Sequence, residues 1–395
     1  MSSAAKSAEV ITLGCRLNLA ESERIRAMLV GESDLVVVNS CAVTSEAVRQ
    51  TRQAIRRARR DRPTARLLVT GCAADIERDQ LSAMPEVDGL IANTQKLDAR
   101  AWNVPQTAHL IPSGHTRAFI AVQNGCDHAC TFCVIPQGRG PSRSLTIQQV
   151  LTEVASYMEC GAPEIVLTGV DVTSWGHDLP GTPPLGQLVQ AILDEFPALH
   201  RLRMSSLDGI EIDPLLFELF AAEPRVMPHL HLSLQHGHDL ILKRMKRRHL
   251  RRNAVDLVAR LRDRRPDLAM GADLIAGFPT EDDAMHAANL SIIEELNIIH
   301  GHIFPYSPRP NTPAARMPQV AKPIIKQRAA ELRGKVSQLR AEWLANHVGI
   351  PLEVLAEKDG TGYSPDFARV AVPDGVAAGT ITTITPTSHD KGLLL

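Results

Sequence analysis

The chain has 395 residues, with 43 Lys plus Arg against 44 Asp plus Glu and a formal net charge of −1. Apolar residues make up 44% and charged residues 22%, which excludes a disordered chain and predicts buried cores in more than one domain. The near-zero charge excludes a uniformly basic nucleic-acid coat protein, but not a basic face.

The first hundred residues alternate strand and helix patterns. Glu9 to Leu13 is a short apolar run, Leu19 to Val30 has helical spacing, and Asp34 to Asn39 is a β-branched run of the buried-strand kind. Ala47 to Arg60 reads as a long helix and Arg66 to Thr70 as a third strand. This βαβαβ order predicts a parallel sheet covered by helices. Each strand runs into a cysteine, Cys15, Cys41 or Cys72, at the end where such sheets gather their ligands. Residues 95–116 mix Pro, Gly and polar residues and read as a linker.

Strand patterns resume at 119–122, 164–168, 202–204, 229–234, 270–275 and 299–304, with helical patterns such as 147–160, 185–195 and 254–264 between them. Such repeated strand–helix units predict a barrel or partial barrel. Residues 324–347 form one long helix pattern, and 351–356, 368–372 and 380–385 read as short strands of a small β module. No run of about 18 apolar residues suggests a membrane span. The opening stretch MSSAAKSAEVITLG lacks an apolar core with a cleavage site, so a reducing cytoplasm is the expected setting. Seven cysteines are too few and too uneven for a disulfide scaffold, which leaves metal binding or catalysis.

The sharpest signal is Cys126-Asp-His-Ala-Cys130-Thr-Phe-Cys133. Three thiolates this close on one loop can reach one inorganic cluster, and thiolate sulfur suits iron–sulfur or zinc. No fourth cysteine or histidine follows at finger-like spacing, so a closed zinc site is disfavoured; a zinc knuckle that borrows His128 is the alternative. Cys160 matches no motif and reads as an ordinary thiol.

This CxxxCxxC loop, directly after a strand, resembles the signature of radical S-adenosylmethionine (SAM) enzymes. The resemblance implies a [4Fe–4S] cluster on Cys126, Cys130 and Cys133 whose open iron binds SAM, with Phe132 near the adenine. Leu13-Gly-Cys15-Arg-Leu-Asn, Val38-Asn-Ser-Cys41-Ala-Val-Thr and Val69-Thr-Gly-Cys72-Ala narrow it to the methylthiotransferase family. That family implies a flavodoxin-like N-terminal domain with a second [4Fe–4S] cluster, here on Cys15, Cys41 and Cys72. It also implies a partial (βα)6 radical SAM barrel and a C-terminal β module of the TRAM kind, short in this chain. The expected boundaries are 8–100, 113–340 and 345–395.

Further motifs follow in the family's order. Leu167-Thr-Gly169-Val-Asp171-Val-Thr-Ser-Trp-Gly176 resembles a segment whose backbone meets the SAM amino group, with Asp171 and Trp175 where Asn and Tyr are usual. His231-Leu-Ser233-Leu-Gln235-His236 resembles a strand with a SAM-contacting polar pair; Ser233 and Gln235 alternate with apolar residues and so share one face. Gly271 to Glu281, with Asp273, and Tyr306 to Ala315, with Arg309, match two more motifs; Asn311 stands where Gly is usual and tolerates the same turn. Gly138 to Ser144, with Arg143, follows the cluster loop.

Arg49, Arg52, Arg56, Arg57, Arg59, Arg60, Arg62 and Arg66 cluster on one helix and its end, opposed in sequence only by Asp61. Lys243 to Arg252 is a second basic block. The two read either as solvated faces or as phosphate contacts for RNA. Within the family, substrates are N6-threonylcarbamoyladenosine 37 of tRNA, N6-isopentenyladenosine 37 of tRNA, or an aspartate of a ribosomal protein. Basic Arg16 after the first cysteine, together with Arg139-Gly-Pro-Ser-Arg143-Ser144 and Arg316-Met-Pro318, resembles the threonylcarbamoyl branch most closely. Arg16, Arg143 and Arg309 are then candidate substrate contacts, the anticodon loop of tRNA is the partner, and a flavodoxin or ferredoxin is the expected electron donor. Outside this class stand an RNA-binding iron–sulfur redox sensor and, for the N-terminal part alone, a flavodoxin-like electron carrier.

Overall fold

The computed structural model describes residues 6–105 and 116–395. The N-terminal sheet has the order β1 (Glu9–Thr12), β2 (Leu35–Ser40), β3 (Arg66–Gly71), β4 (Gly89–Leu90), all parallel. Every residue of β2 is buried, as its Val-rich run predicts for a strand covered on both faces. One face packs Val36, Val38, Ile55 and Val69. The other packs Ile25, Val37, Leu68 and Trp102. The helix over 16–28, α1 (Arg16–Met28), starts three residues earlier than its apolar spacing suggests, so Cys15 sits at its N-cap in an extended conformation. The second helix, α2 (Ser45–Asp61), is capped by Thr44, whose hydroxyl accepts from the Ala47 N–H.

The linker reading of 95–116 holds only in part. Lys96 and Trp102 are buried, Ala99–Trp102 is helical, and the Trp102 indole N–H donates to the Lys96 carbonyl at 2.8 Å. A single large aromatic drew this stretch into the sheet's core, which Pro and polar composition alone does not reveal. Residues 106–115 lie outside the described residues.

The central unit carries β5 (Arg117–Ala121), a two-residue ribbon of β6 (Gln123–Asn124) with β7 (Arg143–Ser144), then β8 (Glu164–Thr168), β9 (Arg201–Met204), β10 (His229–Gln235), β11 (Ala269–Ala276) and β12 (Ile298–Pro305). Parallel pairs run β5–β8–β9 and β10–β11–β12. Parallel bridges at Leu202–Val226 and Leu207–Leu232 join the two groups into one curved wall. This is the expected partial barrel, and its core includes Ile120, Ile165, Leu202, Leu230 and Met270.

The helix Lys322–Ala345 leads into the C-terminal sheet, β13 (Leu352–Ala356), β14 (Thr361–Tyr363), β15 (Arg369–Ala371), β16 (Ile381–Ile384), β17 (His389–Asp390) and β18 (Leu393–Leu394). The order is β16-β13-β14-β15-β18-β17. Four of these strands have only two or three residues; of these, β15 falls within the expected 368–372, while β14, β17 and β18 are too short for a periodic signal in the sequence. No helix among the described residues is long and apolar enough to cross a membrane.

Candidate functional site

Cys126, Cys130 and Cys133 are half-buried free thiols on the loop that leaves β6. The loop is pinned at Gly125, whose φ is +78° and where a Cβ would fall 1.8 Å from the Pro141 carbonyl oxygen. Backbone N–H groups point at sulfur: His128 to Cys126 Sγ and Ile135 to Cys133 Sγ, both at 3.4 Å. Arg247 Nη1 stands 3.7 Å from Cys130 Sγ. Burial pushes the Cys126 and Cys133 thiols up to about 12, and the neighbouring sulfurs push the same way. Three soft sulfur donors on one loop, already supplied with hydrogen bonds to sulfur, fit an iron–sulfur cluster, which would take them as thiolates. His128 turns its Nε2 to Asp171 at 2.7 Å, and Asp171 and then Glu211 raise its pKa to about 10. The Cys126, His128 and Asp171 ligand atoms lie within 4.8 Å of one another, yet the imidazole is spent on the carboxylate. This disfavours the zinc-knuckle reading.

The second triplet is assembled by the sheet. Cys15 is exposed at the start of α1, while Cys41 and Cys72, just past β2 and β3, are buried. Gly14, at φ +90°, brings the chain against Cys41; a Cβ there would lie 2.8 Å from the Cys41 sulfur. Burial raises the Cys41 thiol to about 11, and Cys72 and Cys15 add to it, so the three sulfurs share one electrostatic neighbourhood. This donor set also fits a cluster.

The two triplets meet across one interface. Asn93 Nδ2 donates to the Gly138 carbonyl at 2.6 Å and stands 3.9 Å from Cys72 Sγ. A Cβ on Gly138 would lie 3.0 Å from Ile76 Cδ1 and 3.4 Å from Cys72 Cα. Beside this contact Arg139 reaches Glu21 at 2.9 Å and Asn18 Oδ1 at 2.5 Å, and Lys96 reaches Glu21 at 2.6 Å. Asn124 Nδ2 also donates to Glu21 at 2.9 Å. Burial lifts the Glu21 carboxyl, but Lys96 and Arg139 outweigh it and hold it down at about 2. Asn18 and Arg139 lie in quoted motifs, but the network itself is not visible in the sequence, because Glu21, Lys96 and Asn124 join them only across the folded interface.

The residues expected to contact SAM belong to the central unit. Gly169 and Asp171 are held by Gln123, whose side-chain oxygen accepts the Val170 and Asp171 N–H groups at 3.1 and 2.9 Å. A Cβ on Gly169 would lie 2.8 Å from the Gln123 carbonyl oxygen, so the position requires glycine. Gln123 was not foreseen; its signal was a lone glutamine at a strand end. Phe132 packs edge-on against Phe278 with ring centres 6.3 Å apart. Ser233 and Gln235 are half-buried on β10. Asp273 accepts from His231 and His302, both at 3.1 Å. Burial opposes ionisation of Asp273, but the two imidazoles outweigh it and hold the carboxyl well below its usual range.

The basic segments behave differently from their sequence appearance. On α2, Arg49 pairs with Glu46, Arg52 with Glu77, Arg56 with Glu86, Arg57 with Asp61, and Arg59 with Asp88; just beyond the helix, Arg62 pairs with Asp34. That face is largely neutralised, mostly by carboxylates distant in sequence. In the second block Arg247 pairs with Asp208 at 2.9 Å and Arg248 with Glu211 at 2.7 Å, beside the cysteine loop. Of the three substrate candidates, Arg143 is exposed and donates to the Arg139 carbonyl at 3.3 Å. Arg309 is buried and paired with Glu77 at 3.0 Å, so its charge is already engaged. Arg16 enters the barrel, its guanidinium over the rings of Phe119 and Phe367.

Comparison with known proteins agrees with this geometry. Residues 120–290 match the model of the radical SAM superfamily, and residues 7–92 match uncharacterized protein family UPF0004. The threonylcarbamoyladenosine tRNA methylthiotransferase MtaB of Rickettsia prowazekii is 44% identical over 94% of this chain and 93% of its own length. The tRNA-2-methylthio-N(6)-dimethylallyladenosine synthase of Erythrobacter litoralis is 31% identical over 95% of this chain and 94% of its own. Among solved structures, the radical SAM methyltransferase TsrM of Kitasatospora setae covers 79% of this chain and 77% of its own at a TM-score of 0.56 and 14% identity, a likeness of fold.

Proposed function

Because the chain belongs to the radical SAM methylthiotransferase family, we propose that it inserts a methylthio group at C2 of N6-threonylcarbamoyladenosine 37 in tRNA. The observation that carries the reading is the placement of two cysteine triplets on facing loops of one interface. One triplet suits SAM cleavage and the other suits sulfur delivery. The 44% identity to a threonylcarbamoyladenosine enzyme supports the choice of base.

In this reading Cys126, Cys130 and Cys133 hold the [4Fe–4S] cluster that binds SAM, and Cys15, Cys41 and Cys72 hold a second one. When bound, these groups supply the electron, the organic radical and the sulfur needed to replace an unreactive C–H bond. The chain's own residues set the geometry. Gln123 fixes the 169–171 backbone toward SAM. Arg247 and the two backbone N–H groups donate to sulfur and tune the potential. Phe132 and Phe278 wall the adenine side. The Arg139–Glu21–Lys96 network keeps the two triplets in register. An adenine in the anticodon loop can be splayed out of its stack into the space between them, which a duplex would forbid. Units 8–100, 113–340 and 345–395 then divide sulfur delivery, radical generation and a C-terminal β module. A flavodoxin or ferredoxin supplies electrons, and the tRNA substrate sets the work in the cytoplasm.

Mass spectrometry of tRNA nucleosides with and without the gene tests the reading. Loss of the 2-methylthio form of N6-threonylcarbamoyladenosine is expected. Loss of the isopentenyl analogue instead would overturn the substrate. No change in either would point to a ribosomal-protein substrate or to a non-catalytic iron–sulfur sensor.

A further inference from the structure

The lower barrel gathers guanidinium groups that the proposed chemistry leaves unused. Arg117 comes from β5, Arg203 from β9, and Arg16 from the first turn of α1. Their guanidinium carbons lie 5.6, 5.0 and 5.6 Å, respectively, from the centre of one ring, Phe367, which the C-terminal module inserts beside β10. Arg16 and Arg117 also flank Phe119 at 5.9 and 5.7 Å.

The carboxylates at hand answer two of the three arginines and leave Arg16 without one. Glu164 accepts from Arg203 Nε at 2.9 Å and stands 3.9 Å from Arg201. Glu357 accepts from Arg117 Nε at 2.7 Å. Asp366 pairs with His347 at 2.6 Å. Arg16 has no carboxylate partner among the described residues. Arg203 is 3% exposed, and its Nη1 is buried without a hydrogen-bond partner among them. Buried positive charge in excess of its counter-charge is costly, and a bound anion removes the cost. Guanidinium groups suit a carboxylate in particular, through paired N–H donors.

The position adds a second argument. Arg16 directly follows Cys15, so its side chain hangs from the backbone that presents the strand-end sulfurs. An adenine with C2 toward those sulfurs carries its N6 substituent a short way off, within reach of that side chain. Resting on the reaction proposed above, we infer that Arg16, backed by Arg203 and Arg117, forms an anion subsite for the carboxylate of the amino-acid substituent on adenine N6. Phe119 and Phe367 wall the subsite. An isoprenoid substituent would leave the arginines unpaired there, so the subsite discriminates by charge.

The test compares two anticodon stem-loops, one with N6-threonylcarbamoyladenosine and one with the same base as its carboxamide. The RNA phosphates are identical, so any difference in affinity reports the carboxylate rather than the backbone. The wild-type reconstituted protein is expected to bind the acid roughly tenfold or more tightly, as a charge-assisted pair gives. Arg16→Gln reduces that preference to about twofold or less, and Arg16→Lys retains part of it. Arg16 is chosen because replacing Arg203 would strand buried Glu164 and could unfold the barrel. Equal binding of acid and amide by wild type, or an unchanged preference in Arg16→Gln, overturns the subsite. If wild type methylthiolates isopentenyladenosine tRNA and not the threonylcarbamoyl form, the reaction reading and the subsite both fall, and the product tells that failure from the first.

Discussion

The two cysteine triplets are chemically alike and structurally opposite. Cys126, Cys130 and Cys133 sit within eight consecutive residues, so the chain itself holds them together. Cys15, Cys41 and Cys72 span 58 positions and meet only because three parallel strands end at the same edge. The first site depends on one glycine turn at Gly125. The second depends on strand register, on the close approach at Gly14, and on a buried charge network that docks the sheet against the other loop. A local ligand set should therefore tolerate loss of tertiary support better than one assembled by register.

The largest effect that would sharpen this contrast comes from the sulfurs. Cys130→Ala should abolish 5′-deoxyadenosine formation under strong reductant and, with it, methylthio insertion. Cys41→Ala should reduce methylthio insertion far more than 5′-deoxyadenosine formation; an equal loss of both would break the division of labour. Chromatography of the two products, with iron content, reads both variants.

Arg139→Ala removes one cation from a buried cluster and leaves Glu21 with only Lys96 as a charged partner. A cost of about 3–5 kcal/mol is expected, seen as a lower midpoint in denaturant. Iron should be lost from the strand-end site before the loop site. A variant as stable as wild type would show that the network does not hold the interface.

Gly14→Ala should cost about 1–3 kcal/mol, because φ of +90° disfavours a side chain and the new Cβ meets Cys41 at 2.7 Å. Iron bound by the strand-end site is the readout. Gly125→Ala is the matching change in the loop site and should affect SAM cleavage instead.

The smallest effect lies in the C-terminal module. Burial lowers the His347 pKa, but the bond to Asp366 outweighs it, so the folded value is raised above 6.5. The stabilisation is then full below the unfolded value and fades as pH rises through the folded one. On the acid side the Asp366 carboxyl is held below 3.8 despite burial, so its share is lost only as pH falls through that lowered value. His347→Gln should cost about 1 kcal/mol near pH 5 and less near pH 9, measured by thermal unfolding.

Much of this molecule was legible in its sequence. The strand–helix alternation, the Val-rich β2, the cysteine loop and the cysteine at each strand end follow from local spacing and propensity, which the chain carries wherever it goes. Other features became visible only with the fold. The arginines of α2 look like an open basic face until Glu77, Glu86 and Asp88 arrive from elsewhere to neutralise them. Arg247, one of a run of basic residues, proves to stand over Cys130. Trp102 turns a polar stretch into core. Arg16, one residue past a cysteine, finds its setting among Phe119, Phe367 and Arg203, which lie far along the chain. Periodicity and ligand spacing are short-range properties, so the sequence alone determined the elements and the loop-held triplet. Charge balance and burial depend on partners that only chain closure brings together, so the tertiary structure decided which arginines are free, which are spent, and where the second triplet meets the first.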